Sequence, residues 1–233
     1  MPRPDQAVSG PPFRALHFGP CRAGPGSTAW EAVAPTIESP PASGREAGLS
    51  VTTVYSGHLA NTPVGTIRLW ATDRGIRRLD FRDGPNLARD GETLSTKSPP
   101  PLVEDTLAQL VSYFAGHCRQ FDIPLDLGAL TPFQMDVYRH LSALGFGKVT
   151  TYGSIGEELG VGAAGARAVG QAVGANPVAI VIPCHRVIGS DHTLHGYSGG
   201  LDRKARLLRH EGIVVDGEEA DSRVHPEELR LEL

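Results

Sequence analysis

The stretch NPVAIVIPCHRVIGS, residues 176–190, places a cysteine between a proline and a histidine. Residues 178–182 are apolar and rich in β-branched side chains, which predicts a buried strand. Pro183 follows, and a proline can neither donate a hydrogen bond to a sheet nor continue a central strand. The sequence therefore predicts that Cys184 lies where a buried strand ends and the chain turns.

Cys184 is a candidate nucleophile. A thiol attacks only as the thiolate, so it needs a base or a positive environment that lowers its pKa. His185 is the nearest candidate base, but side chains of consecutive residues do not normally face each other, and a bridging water is the favoured proton path. A carboxylate is then expected to orient the histidine, although these residues alone do not select which one.

Two other cysteine chemistries fit this stretch poorly. A zinc deaminase needs a second cysteine three positions after the first, and position 187 is valine, which excludes that site. A papain-like hydrolase needs a cysteine at a helix start with a distant histidine and asparagine, and no sequence feature marks such a set. The deaminase is therefore excluded and the hydrolase disfavoured.

Composition limits the class of protein. The chain has 233 residues, of which 40% are hydrophobic and 21% charged, as in a soluble globular protein of one or two domains. No apolar stretch is long enough to cross a bilayer and no signal-peptide pattern is present, so a cytoplasmic location is expected. The three cysteines, Cys21, Cys118 and Cys184, are widely spaced without a CxxC pair, which predicts neither a disulfide framework nor a zinc cluster. Cys118 is expected to be a small buried residue.

The first half of the chain divides into an arm and a small α/β domain at 51–125. Residues 1–48 hold nine prolines and six glycines without hydrophobic periodicity, which predicts a disordered arm. Alternatively, translation begins at a non-Met codon near Leu49 or Val51. In the domain the patterns predict strands at 51–55, 66–71 and 76–81, a polar linker at 83–101 and a helix at 103–116.

A second, mostly helical region is predicted for residues 131–212. Thr131 is the expected N-cap of its first helix, with Pro132 at the first helical position. A short helix that begins near Gly153 is followed by a glycine-bearing turn and a helix at 163–173. Two short helices separated by a tight turn are typical of a helix-turn-helix.

The helix at 163–173 consists of alanine, glycine and valine, apart from Arg167 and Gln171. This composition is typical of a closely packed core helix. It also lets a helix approach a narrow DNA minor groove, where Arg167 would enter the groove or fill a gap in the base stack. Composition alone favours the core helix, and the DNA-binding interpretation stays open.

Charge supports DNA binding only modestly. The whole chain has a net charge of −4, but residues 131–212 carry 8 basic and 6 acidic groups, whereas residues 213–233, an expected acidic tail, carry 2 and 7. Four basic residues crowd the segment before Glu211, and a solvated helix face is the favoured role for most of them. These are Arg203, Lys204, Arg206 and Arg209.

Four motifs occur in a specific order along the second region: ARAVG at 166–170, NP at 176–177, PCHRV at 183–187 and GYSGGLDRKARLLRHEG at 196–212. Together they resemble the O6-alkylguanine-DNA alkyltransferases, which are methylated-DNA–protein-cysteine methyltransferases. The resemblance covers about residues 51–212 and is strongest over 131–212. It implies an α/β protein with a small N-terminal three-stranded, ribonuclease H-like domain, followed by a mostly helical winged helix-turn-helix domain that carries the cysteine.

The resemblance implies direct repair of alkylated DNA. The protein would bind double-stranded DNA through the minor groove, flip the damaged guanine out of the stack and move its O6-alkyl group irreversibly onto Cys184. O4-alkylthymine is an expected second substrate. The resemblance implies no cofactor, metal, membrane or obligate protein partner, and it predicts a cytoplasmic monomer that reacts once.

The resemblance also assigns the proton chemistry. Cys184 would be the alkyl acceptor, His185 the water-assisted base and Glu211 the carboxylate that orients His185. Tyr152 would supply a proton to the leaving purine and help to rotate the phosphate.

The remaining residues implied by the resemblance bind DNA and the flipped base. Arg167 would occupy the vacated place in the base stack, and Asn176 would brace the turn around the cysteine. The backbone of Val187 and of Tyr197 and Ser198 would line the base pocket.

The sequence departs from the family pattern at two places. One extra residue lies between Tyr152 and Arg167, and His192 stands where a glycine is usual. Neither the zinc-bearing N-terminal form of the family nor its cysteine-rich adaptive-response domain is indicated. Two alternative functions are a non-catalytic protein that binds alkyl lesions and a plain helix-turn-helix DNA-binding protein. Cys184 favours the enzyme, because the lesion-binding relatives replace that cysteine.

Overall fold

The computed structural model describes residues 51–81 and 88–229, so the predicted arm at 1–48 lies outside the described residues. The chain first forms a four-stranded sheet in the order β3-β2-β1-β4, with one helix packed against it. Its elements are β1 Thr52–Thr62, β2 Gly65–Ala71, β3 Ile76–Asp80, β4 Glu92–Leu94 and α1 Pro101–Phe114.

The three predicted strands of this domain are confirmed, and the fourth lies in the segment predicted as a linker. β1, β2 and β3 are antiparallel neighbours, whereas β4 runs parallel to β1. β4 is held by backbone pairing, for example between the Thr52 amide and the Gly91 carbonyl at 2.9 Å. Three residues are too few for an alternating hydrophobic pattern to stand out, which explains why the sequence did not reveal this strand.

Helix α1 packs closely on the sheet at Gly57 of β1. A Cβ atom at this position would lie 2.9 Å from Val103 and 3.4 Å from Leu107, two buried residues of α1. The absence of a side chain therefore lets the helix approach the strand backbone.

The second region is mostly helical and also contains four short strands. β5 pairs in parallel with β6, and β7 pairs antiparallel with β8. The elements are α2 Pro132–Ala143, β5 Thr150–Thr151, α3 Tyr152–Glu158, a 3-10 turn Ala163–Gly165, α4 Ala166–Gly174, a 3-10 turn Cys184–Arg186, β6 Val187–Ile188, α5 Leu201–His210, β7 Ile213–Val215 and β8 Val224–Leu229.

The predicted helix-turn-helix is formed by α3 and α4. Gly160 and Gly162 adopt positive φ angles of 74° and 65° in the turn between them, a backbone conformation that favours glycine. The buried Tyr138 of α2 donates from its hydroxyl to the Ala172 carbonyl of α4 at 3.1 Å. α4 is therefore packed against α2 on one side and leaves its other side, including Arg167, exposed.

The prediction of a strand at 178–182 is wrong, although the segment is largely buried as expected. It forms a turn in which the Ile182 amide donates to the Val178 carbonyl at 3.0 Å, and Ile180 adopts a φ of 68°. A single bridge between Val178 and Leu79 is its only strand-like pairing in the described residues. A short apolar run indicates burial but does not separate a strand from a buried turn.

Residues 213–229 do not behave as a solvated acidic tail. β7 and β8 form a hairpin that buries Ile213, Val215 and Val224 against Ile188 and Leu208 in a second hydrophobic cluster. The predicted tail is therefore folded as far as residue 229. The many acidic residues of this segment concealed the few apolar side chains that pack in the hairpin.

The main hydrophobic core is continuous between the two regions. One cluster of buried residues extends from Leu69 of the sheet through Leu107 of α1 to Val137 of α2 and Val169 of α4, and it includes Cys184. Because both regions share this core, the division into two domains between residues 125 and 131 stays a prediction. Among the described residues no helix is long and apolar enough to traverse a lipid bilayer.

The N-terminus of α2 provides a test of local stability. The Thr131 side chain accepts from the Gln134 amide at 3.2 Å, and Gln134 Oε1 accepts from the Thr131 amide at 3.0 Å, so the predicted cap is a reciprocal capping box. Thr131→Ala is expected to lower the free energy of unfolding by about 1 kcal/mol in urea titrations. Thr131→Ser retains the acceptor and should be nearly neutral. An equal loss in both variants would show that the cap does not stabilise this helix.

Candidate functional site

A side-chain bridge from Asn176 shapes the turn that presents Cys184. Asn176 Nδ2 donates to the Ile182 carbonyl at 2.8 Å, and Asn176 Oδ1 accepts from the Val178 amide at 3.0 Å. The Cys184 amide donates to the same Ile182 carbonyl at 2.8 Å. Asn176 thus satisfies backbone groups on both sides of the turn.

Cys184 begins a 3-10 turn and is only 3% exposed. Its sulfur lies 4.0 Å from the hydroxyl oxygen of Tyr197. Burial raises the pKa of the thiol, while hydrogen bonds from Asn176 and Tyr197 and the charge of Lys204 lower it. Because the net pKa shift is upward, Cys184 rests as the neutral thiol at neutral pH.

His185 is fully buried next to Cys184 and faces Glu211. Its Nε2 atom lies 2.9 Å from Glu211 Oε1. Burial lowers the pKa of His185, and the charge and hydrogen bond of Glu211 only partly offset this effect. Its Nδ1 atom has no hydrogen-bond partner among the described residues. The imidazole is therefore neutral, with one nitrogen bound to the carboxylate and the other available.

Glu211 is a buried carboxylate surrounded by donors. Arg186 donates from Nε to Oε2 and from Nη2 to Oε1, both at 2.8 Å. Tyr113 donates from its hydroxyl to Oε1 at 2.8 Å, and the Gly147 amide donates to Oε2 at 3.2 Å. Burial alone would raise the pKa of Glu211, but His185 and Arg186 outweigh it and hold that pKa well below the usual range. Glu211 is therefore ionised and oriented by fixed contacts.

Lys204 is the second buried cation near the cysteine. Its ammonium donates to the Val187 carbonyl at 2.6 Å and to the Leu194 carbonyl. Burial lowers the pKa of Lys204 to about 8, and the nearby Cys184 acts in the opposite direction. Lys204 thus ties together the two ends of the loop that follows the cysteine.

A cavity of about 630 Å³ opens between the helix-turn-helix and the loop after β6. Tyr197 lines this cavity, and its hydroxyl oxygen is the atom that lies 4.0 Å from the Cys184 sulfur, whereas Cys184 itself is not among the lining residues. The lining further includes Tyr152 of α3, Arg167 of α4 and Ser198. A ligand in this cavity would lie between the helix-turn-helix and the cysteine.

Tyr152 and Arg167 line the cavity from the helix-turn-helix. The Tyr152 hydroxyl lies 3.4 Å from the Gly196 carbonyl, to which it donates. Burial, followed by the charge of Cys184, raises the pKa of Tyr152, which keeps its hydroxyl protonated. Arg167 is exposed on α4. One predicted lining residue, Val187, is not part of the lining, because it is fully buried behind the loop with its carbonyl held by Lys204.

Sequence reasoning missed three residues of the site: Tyr113, Arg186 and Lys204. Arg186 lies within the PCHRV motif, and its position beside His185 was an available signal. Lys204 belongs to a basic segment predicted mainly as a solvated face, and for this residue that prediction is wrong because its side chain is fully buried. Tyr113 is 98 residues from Glu211, and no sequence feature indicated their contact.

The remaining cysteine and histidine features lie outside this network. Cys118 is buried in the main core as predicted, and it is disulfide-bonded, which the spacing of the cysteines did not indicate. Cys184 is the free cysteine of the described residues. His192 is exposed in a turn with a φ of 60°. Within the described ranges, no group of three or more His, Cys, Asp or Glu side chains is arranged to hold a metal ion.

Two family models match the chain. Residues 54–127 match the ribonuclease-like domain of 6-O-methylguanine DNA methyltransferase, and residues 132–213 match the DNA binding domain of the same proteins. Methylated-DNA–protein-cysteine methyltransferase of Mycolicibacterium paratuberculosis is 44% identical over 151 residues, which cover 64% of this chain and 87% of the relative. The protein of the same name from Shigella flexneri is 46% identical over 146 residues, covering 62% of this chain and 80% of the relative.

A solved structure shows the same architecture. The crystal structure of Mycobacterium tuberculosis OGT in complex with DNA superposes with a TM-score of 0.59 at 35% sequence identity. The superposition covers 69% of this chain and 93% of that protein. It supports the order of a sheet domain followed by a helical domain that the motifs implied.

The buried neutral state of His185 predicts a loss of stability in acid. Because burial lowers the pKa of His185 from about 6.5 in an unfolded chain, the unfolded state binds a proton that the folded state does not, once the pH falls below that value. The free energy of unfolding should then decrease by up to about 1.4 kcal/mol per pH unit from this group. Urea unfolding near pH 7, 6 and 5 would measure it, and His185→Gln, which does not titrate, should lose less stability. Equal pH dependence in both proteins would contradict a neutral buried His185.

Proposed function

Because this chain belongs to the 6-O-methylguanine DNA methyltransferase family, we propose that Cys184 is the residue that accepts the alkyl group from O6-alkylguanine in DNA. The function of the family is repair by direct transfer of the alkyl group to a protein cysteine. In the reaction the bond between the guanine O6 and the alkyl carbon breaks and a carbon–sulfur bond forms. The thioether has no route back, so each molecule reacts once.

The observation that carries this assignment is the position of Cys184 between a cavity and a buried proton network. Tyr197 connects the cavity to the sulfur on one side, and His185 with Glu211 lies on the chain immediately after the cysteine. Cys184 is also the free cysteine of the described residues. The candidate nucleophile is thus followed directly in the chain by a histidine that is bound to a buried carboxylate.

The proton of the thiol is proposed to leave through His185. Nε2 of the imidazole is bound to Glu211, so Nδ1 is the nitrogen available to take a proton, through a bridging water, from Cys184. The ionised Glu211 stabilises the imidazolium that forms and so offsets part of the cost of burying that charge. His185 is thus the base, and Glu211 is the group that orients and stabilises it.

The leaving guanine needs a proton when its bond to the alkyl carbon breaks. Tyr152 lines the cavity with a protonated hydroxyl, and we assign it the role of donor to the purine. We also propose that its phenolic group helps to rotate the phosphate of the extruded nucleotide. Tyr197 and Ser198 contribute the adjacent wall of the cavity, where they would hold the base.

DNA is proposed to bind through α3 and α4 at the minor groove, with the damaged nucleotide flipped into the cavity. The small residues of α4 allow its exposed side to approach a DNA backbone closely, and Arg167 is an exposed residue of α4 that lines the cavity. An arginine at this position would fill the gap that the flipped base leaves in the stack. O4-alkylthymine remains a predicted second substrate. We also propose that the protein is cytoplasmic and has no obligate protein partner.

The alternative of a non-catalytic lesion-binding protein is disfavoured by the same geometry. A protein that only holds lesions has no need of a free cysteine with a histidine and a carboxylate behind it. A plain helix-turn-helix DNA-binding protein would likewise not require this network. Chemical transfer to the cysteine distinguishes the enzyme from both alternatives.

Transfer should be stoichiometric and confined to Cys184. After incubation with a duplex that contains O6-methylguanine, mass spectrometry is expected to show one methyl group per protein, located on Cys184, and no further turnover. Cys184→Ser should abolish transfer because the sulfur nucleophile is lost, yet it should retain DNA binding because α3 and α4 are unchanged. Repeated turnover, or a methyl group on another residue, would overturn the assignment.

Arg167 should matter for duplex DNA and not for a free base. Arg167→Ala is expected to slow transfer from duplex DNA at least about tenfold, since stacking and phosphate contacts of this size are typical of side chains in DNA grooves. It should leave transfer from free O6-benzylguanine nearly unchanged, because the free base leaves no gap in a stack. Arg139→Ala removes the same charge from an exposed position on α2 and serves as the control. Equal losses on both substrates would assign Arg167 to protein structure instead.

A further inference from the structure

The end of α1, in the sheet domain, reaches the proton network through Tyr113. This residue is 1% exposed, and its ring lies within a group of aromatic side chains. The ring centroids are 4.8 Å from His210, 5.0 Å from Phe114, 5.4 Å from Phe121 and 6.0 Å from Phe146. The packing of its ring therefore holds the Tyr113 side chain in place, in addition to its hydrogen bonds.

Tyr113 contacts two consecutive residues at the end of α5. Its hydroxyl donates to Glu211 Oε1 at 2.8 Å, and its backbone carbonyl accepts from Nε2 of His210 at 2.8 Å. His210 is the last residue of α5, and Glu211 is the C-cap. Helix ends fray unless tertiary contacts hold them, so the position of Glu211 depends on contacts of this kind.

We propose that Tyr113 is a positioning residue for alkyl transfer: its hydroxyl, supplied by the N-terminal sheet domain, fixes the Glu211 carboxylate and thereby the His185 imidazole. The inference rests on the function proposed above, because the rate of transfer to Cys184 is the property it controls. The N-terminal domain then takes part in activating the thiol and is more than a support for the DNA-binding region.

The sharing of one oxygen explains why Tyr113 acts on His185. Glu211 Oε1 accepts from Tyr113 and is also the atom that faces His185 Nε2. Arg186 holds the carboxylate as well, but its backbone belongs to the same short turn as His185. Tyr113 ties the carboxylate to a separate helix, α1, so it fixes the position of Glu211 relative to the sheet domain.

The protonation state of Tyr113 suits this role. Burial, followed by the charge of Glu211, raises the pKa of the phenol well above its ordinary value, so the hydroxyl is the donor and the carboxylate the acceptor. Replacing the hydroxyl with hydrogen removes the donor and preserves the ring. Tyr113→Phe is consequently a narrow test of the hydrogen bond.

The experiment measures single-turnover transfer from free O6-benzylguanine, with full-length protein, as a function of pH. Tyr113→Phe is expected to be on the order of tenfold slower than wild type near pH 7, the size of effect expected for a hydrogen bond to a buried charge. Raising the pH toward about 8.5, where a thiol ionises without help, should recover part of the rate. Thr106→Val, which removes a buried hydroxyl of the same helix that donates only to the Leu102 carbonyl at 2.7 Å, should leave both rate and pH profile unchanged.

A double-mutant cycle tests whether Tyr113 acts through Glu211. In a Glu211→Gln background, Tyr113→Phe should cause little further loss, because the carboxylate through which the phenol acts is already gone. Full additivity, or a loss in Tyr113→Phe that is the same at every pH, would overturn the inference. His210→Phe removes the second contact and keeps the Tyr113 hydroxyl, so a smaller loss of transfer rate with the same pH dependence is expected. Unchanged transfer rates in both Tyr113→Phe and His210→Phe would also overturn the inference. Failure of wild type to alkylate Cys184 in this assay would instead overturn the proposed function.

Discussion

Glu211 places a negative charge where almost no water reaches it, and a carboxylate in that position is stable only if protein donors replace the water. The donors come from distant parts of the chain: Tyr113 from α1, Gly147 from the loop after α2, and His185 and Arg186 from the turn that carries the cysteine. Removing one member of such a buried pair typically costs about 3–5 kcal/mol, because the partner charge is left uncompensated. The sheet domain, the helical region and the reactive turn therefore fit together around this carboxylate.

The same burial determines the resting chemistry of the reactive pair. It raises the pKa of Cys184 and lowers that of His185, so both groups are neutral before the substrate arrives. Glu211 and Lys204 act against these shifts, from the histidine side and the cysteine side respectively. A buried neutral thiol reacts slowly with small molecules, because the thiolate is the nucleophile. A protein that reacts once benefits from this protection, since any other reaction of Cys184 would consume it.

Access to the sulfur is separated from the charged network. The cavity is lined by Tyr152, Arg167 and Tyr197, whereas His185 and Glu211 are not part of its lining. A substrate bound in the cavity therefore leaves the contacts of the carboxylate intact. Asn176 and Lys204 maintain this separation, because they hold the backbone before and after the reactive turn.

The sequence by itself determined the local features: the reactive PCHRV turn, the Thr131 cap, the two helices and glycine turn of the helix-turn-helix, and the first three strands. Each of these depends on residues that are close in the chain, such as a proline after an apolar run or glycines where φ is positive. The motif resemblance added Glu211 as the partner of His185, which the structure places at 2.9 Å, although its catalytic role remains a prediction. Only the tertiary structure decided the turn at 178–182, the strand β4, the hairpin after α5 and the burial of Lys204. It also decided the contact of Tyr113 with Glu211, because a hydrogen bond across 98 residues depends on how helices pack and leaves no periodic pattern in the chain.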